Sequence, residues 1–126
     1  LNSLDMSIGQ LLEIIYTHGG TAIPAHVESE KFGLMFNMGM IPEELRGSLF
    51  EISYNADPET VIATHPDLTG GKFITNSDAH YLKDIGRGCT VFTTRSADLN
   101  GITEACLTGQ FYTKNLLEPD PGANNT

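Results

Sequence analysis

The chain has 126 residues, 40% of them apolar, with a formal net charge of −9. That length supports one small domain around a single core, and the surplus of carboxylates excludes broad, sequence-independent binding to phosphate backbones. No apolar run is long enough to span a bilayer, which predicts no membrane partner.

The N-terminal stretch LNSLDMSIG lacks the basic start and apolar core of a secretory leader, and a first residue other than Met suggests a trimmed or processed piece. Ser7 and Gln10 then have the spacing of a capping box, and Ile8, Leu11, Leu12 and Ile15 lie on one face, so a first helix runs to Gly19-Gly20. Thr21 to Val27 (TAIPAHV) reads as a strand, although Pro24 cannot donate to a ladder. In the Gly- and Met-rich stretch that follows, Phe32, Met35 and Phe36 have helical spacing and predict a short buried face. Pro42 opens a further turn with Glu43 and Glu44 at its positive end.

SLFEISYN is a second strand, followed by a short helix that Asp57 caps, Pro58 starts and Pro66 ends. KFITN and CTVFTT are the next two strands, Asp98 to Gly109 is the last helix, and QFYT is a final short strand. Residues 118–126 have the composition of a flexible tail after a domain spanning 1–117. Strands separated by helices predict an α/β fold with parallel βα units and right-handed crossovers. Four or five strands are too few to close a standard barrel, so the sheet is a partial (β/α) barrel. Cys89 and Cys106 lack zinc-knuckle spacing and are read as buried thiols of a reducing, cytoplasmic environment.

The chemistry concentrates in TNSDAHYLKDIG, Thr75 to Gly86. Residues two apart in an extended chain share a face, so Asp78 and His80 present an oxygen and a nitrogen to one point if the strand continues that far. His26 stands near the end of another strand, and in parallel α/β folds ligands gather at the carboxyl ends of strands. Mixed nitrogen and oxygen donors suit zinc, manganese or iron. On spacing alone, a polar strand-end cluster bonded to backbone is the competing reading.

GGTAIPAHVESEKFGLMFNMGMIPEEL, LFEISYN and FITNSDAHYLKDIGRGCTVF, in that order, resemble the later half of a PHP (polymerase and histidinol phosphatase) domain over roughly residues 7 to 112. The resemblance implies a distorted (β/α)7 barrel with metals, often three, at its carboxyl rim, where bound water attacks a phosphoester. It implies that His26 matches the metal-binding His of the third motif, and that Asp78 and His80 match the Asp-x-His pair of the fourth. In that family the three contact different metals of the cluster.

The family's opening His-x-His is missing: the histidines are His18, His26, His65 and His80. The chain is therefore read as the C-terminal portion of a metal-dependent phosphoesterase whose N-terminal half lies elsewhere. Alone, it is expected to bind metal weakly and to lack phosphatase activity. The alternative is a non-catalytic PHP-associated module that supports or binds a partner. A phosphorylated small molecule or nucleotide is the expected substrate, and uncovered strand edges make a homodimer conceivable.

The remaining candidates carry less weight. Glu28, two after His26, is read as a solvated carboxylate, with support for the site or a substrate contact as the alternative, and Asn55 as a strand-end residue that reaches the rim in the same supporting or substrate-contacting capacity. Glu51 sits in mid-strand and needs a partner. Arg87 meets a substrate phosphate or, as we prefer, pairs with an acidic neighbour. His18 is read as closing the first helix and His65 as a surface residue.

Overall fold

The computed structural model describes residues 4–114, so the predicted tail at 118–126 lies outside the described residues. Helix α1, Ile8–Thr17, begins where Ser7 and Gln10 exchange side-chain and backbone bonds, and it ends at His18, whose Nδ1–H donates to Ile14 O at 2.8 Å. The capping box and the structural reading of His18 are thus both borne out.

Thr21 to Val27 is not a regular strand. It lies beside β1, Leu49–Ile52, through two backbone bonds: Glu51 N–H donates to Pro24 O at 2.9 Å and Val27 N–H donates to Glu51 O at 3.0 Å. A regular parallel ladder would use the N–H of the residue two after Pro24, which is His26. His26 is instead a bulged residue with φ 32, so one extra residue breaks the expected strand.

Helix α2, Leu34–Met38, buries Met35, but Phe36 is 65% exposed and Phe32, outside the helix, is 76% exposed. The predicted buried face reduces to one residue because five residues make little more than a turn. Pro42 precedes a 3-10 turn at Glu43–Leu45, as predicted. Helix α3, Pro58–Thr64, has Asp57 as its cap, accepting from Thr60 N–H at 2.9 Å.

Strand β2, Lys72–Thr75, pairs parallel with β1, Phe50 opposite Phe73 and Ile52 opposite Thr75. This β1–α3–β2 unit is the parallel arrangement the alternating pattern predicts. Around it sits the core: Leu12, Val27, Met35, Ile41, Leu45, Phe50, Ile52, Val61 and Leu68, with Phe50 and Val27 fully enclosed.

The second sheet departs from expectation. Strand β3, Cys89–Phe92, pairs antiparallel with β4, Phe111–Lys114, although helix α4, Leu99–Thr108, lies between them. The connection 93–98 folds back onto the start of α4, where any Cβ on Gly101 would collide with Ser96 O. Helix α4 then returns the chain to the end of β3 that it left, and β4 can only run backwards along it. Asp98 and Gly109 cap α4 as the sequence predicts.

No ladder joins the two sheets. Thr90 Oγ1 bridges them, accepting from Thr75 N–H at 3.0 Å and donating to Thr75 O at 2.8 Å. Cys89 and Cys106 are both free thiols, the second buried and the first half-buried. No helix among the described residues is long and apolar enough to cross a membrane.

Candidate functional site

Strands β1 and β2 are parallel, so their carboxyl ends open on one side, and the chain leaves them through Ser53–Asn55 and Asn76–Asp78. On the first of these walls, Glu51 and Glu28 act as clamps across the bulge. Glu51 Oε2 accepts the His26 N–H at 3.2 Å, and Glu28 Oε1 accepts the Ser53 N–H at 2.9 Å. Glu51 thereby finds the partner its mid-strand position demands, and half-buried Glu28 is not a solvated carboxylate. His26 Nδ1 and Glu28 Oε2 are buried without a hydrogen-bond partner, which leaves two polar atoms beside the site unsatisfied.

The second wall is the loop between β2 and β3, and it is tied by polar contacts rather than apolar burial. Ser77 Oγ accepts from Gly86 N–H at 2.8 Å and donates to Gly88 O at 2.9 Å, closing the loop at its base. Arg87 spans it: Nε donates to Ser77 O at 2.6 Å, Nη2 donates to Asp78 O at 3.0 Å, and Nη1 lies 3.7 Å from Asp84 Oδ1. The guanidinium also stacks 4.5 Å from the centroid of Tyr54, on the β1 exit. Gly88 has to be glycine, because a Cβ there would fall 2.6 Å from Tyr54 Cβ.

The extended geometry expected for Asp78 and His80 does not hold. Strand β2 ends at Thr75, and Asp78 has φ 43. His26 and Asp78 are the only non-glycine residues with positive φ among those described. Asp and His tolerate this region better than most side chains, yet each still costs about 1 kcal/mol or more relative to an ordinary conformation. Strain of this kind clusters at functional sites when the surroundings enforce it.

His26 and Asp78 share the walls of one cavity of about 130 Å³ with Glu51, Ser53, Tyr54, Asn55 and Arg87. His80 is not among them. Its ring is exposed and turned back on its own loop, Nδ1–H donating to Asp78 O at 2.9 Å. Two of the three metal-ligand candidates are therefore brought together and the third stands apart, because the left-handed turn at Asp78 breaks the alternation that would align them. Asn55 reaches the rim as expected and also lines a second cavity of about 510 Å³ with Glu28, Phe36, Val61 and His65. His65 is half-buried there rather than a plain surface residue. Among the described residues no group of three His, Cys, Asp or Glu side chains is arranged to hold a metal ion.

Comparison with family models adds one finding. Residues 68–111 match the PHP-associated family model. The matched region covers about a third of the chain and contains β2, the loop with Asp78, His80 and Arg87, and β3 and α4. His26 and β1 lie before it. No curated protein and no solved structure matches the chain.

Sequence reasoning had no means of finding Ser77 and Tyr54. A serine beside an Asp and a tyrosine after a strand carry no local signal, and their partners lie up to 33 residues away along the chain. The Ser-Asp and Gly-Arg-Gly ends of the motif do have a legible logic in retrospect: one supplies the hydroxyl and carbonyls, the other the cation and the close approach.

Proposed function

We propose that this chain is the C-terminal portion of a cytoplasmic, metal-dependent phosphoesterase, one half of a PHP-type barrel completed by an N-terminal half. What carries the reading is the shared cavity of His26 and Asp78 at the carboxyl ends of two parallel strands, where α/β folds place ligands. The PHP-associated match over the loop that bears Asp78 supports it. Zinc, manganese or iron belongs to the proposal, held with donors from outside this chain and with His80 turned inward. The substrate in this reading is a phosphorylated small molecule or a nucleotide.

A second reading has its own support. The matched region is described as PHP-associated, and a cavity that gathers His26 and Asp78 but not His80 also suits a non-catalytic module that braces a neighbouring domain or forms a homodimer. Elemental analysis and a phosphatase assay on the intact parent, run beside this chain, separate the two. The enzyme reading requires a metal-loaded, active parent and an inactive chain. A parent without metal or turnover leaves the module, and full turnover by the chain alone overturns the half-site.

A further inference from the structure

We propose that Arg87 is the positioning residue for Asp78, a role that rests on the reading that Asp78 faces the reacting group. In an extended chain consecutive carbonyls point to opposite sides. Ser77 O and Asp78 O nonetheless meet one guanidinium, at 2.6 and 3.0 Å, because Asp78 turns through φ 43. Together with His80 Nδ1–H, which also donates to Asp78 O at 2.9 Å, Arg87 therefore rewards the left-handed conformer in which Asp78 lines the cavity with His26.

The guanidinium is itself held in place. Asp84 lies against Nη1, and the Tyr54 ring supports its flat face. Since Tyr54 leaves β1 next to Ser53 and Asn55, Arg87 also fixes the distance between the two walls of the cavity. Two of its N–H groups meet loop carbonyls and Asp84 lies beside its charge, so we assign it a geometric task. Lysine cannot replace it, because a point ammonium lacks the rigid fork that reaches two carbonyls and stacks on a ring.

The test is NMR on the 126-residue chain carrying Arg87→Ala or Arg87→Lys, reading the HN–Hα coupling and Cα shift of Asp78, with thermal melting as a control. Both variants are expected to lose the left-handed signature at Asp78 while the Phe50 and Ile52 signals and the melting temperature hold. Added methylguanidinium is expected to restore that signature in Arg87→Ala. An Asp78 that stays left-handed in Arg87→Ala, an Arg87→Lys chain that matches wild type, or failure of methylguanidinium to act overturns the proposal. Should Arg87→Ala unfold, Tyr54→Leu is the second arm: exchange broadening of the Ser77 and Asp78 amides supports the role, and sharp, unshifted amides overturn it. Neither metal nor phosphoester enters the measurement, so loss of the phosphoesterase reading and loss of the positioning role are separately visible.

Discussion

The two sheets are of equal size but stand on different foundations. β1 and β2 lie in the apolar core, where Phe50 and Ile52 are enclosed and Phe50 stacks on Phe73 at 6.1 Å. In β3 every residue is only half-buried, and the core cluster draws all its members from residues 12–68. The same contrast recurs in the walls of the candidate site. The His26 wall is backed by backbone bonds to a buried strand, whereas the Asp78 wall is held by Ser77 and Arg87 side chains. Burial thus fixes one wall through water's exclusion, and specific polar geometry fixes the other. The second kind contributes less to global stability.

Truncation of one aromatic on each sheet breaks the comparison most sharply. Phe50→Ala is expected to cost about 3–5 kcal/mol in urea unfolding, since it opens a cavity in an enclosed core. Phe92→Ala, on a half-buried strand, is expected to cost about 1–2 kcal/mol. Equal losses would show that β3 is as well supported as β1. Next in size is Thr90→Val, which strips Thr75 N–H and C=O of their shared partner and is expected to cost about 1–3 kcal/mol.

Acid titration is a smaller effect. The carboxyls of Asp57 and Asp98 lie below their ordinary value of 3.8, chiefly because each accepts a backbone N–H, from Thr60 and Gly101 respectively. A depressed carboxyl stabilises the fold above its unfolded value and loses that contribution as pH falls through its folded value. Helical circular dichroism is therefore expected to be flat well above pH 3.8 and to decline as the pH falls through that value and below it, and Asp57→Asn with Asp98→Asn to flatten that decline. The smallest effect belongs to Thr75→Val. Thr75 Oγ1 is buried without a partner, so removing it is expected to be neutral or stabilising by less than about 1 kcal/mol. A large loss there would mean that the hydroxyl is satisfied in solution.

The helices were legible because their signals are local. Ser7 with Gln10, Asp57 with Pro58, and Asp98 with Gly109 each declare a terminus within a few residues. The parallel β1–β2 pair was legible for the same reason, through the helix between its strands. The His26 bulge was not, since the carboxylate that accepts its N–H is Glu51, 25 residues along the chain. Nor was the turn at Asp78, which depends on an arginine nine residues on. For the site, His26 and Asp78 line one cavity, whereas spacing set His80 beside them on the assumption of an extended chain. The reversal of β4 escaped for a similar reason: the pattern β–α–β does not record whether a six-residue link stretches away or folds back.

One hydroxyl stands where a row of main-chain bonds would ordinarily continue from β2 to β3. Two further links between the halves are also made through side chains: Thr21 meets Thr103 at 2.9 Å, and Lys72 reaches Leu107 O. Fluctuations should therefore part the molecule along this line, with α4 and the β3–β4 pair exchanging their amide hydrogens as one cooperative unit before those of β1 and β2 begin to exchange.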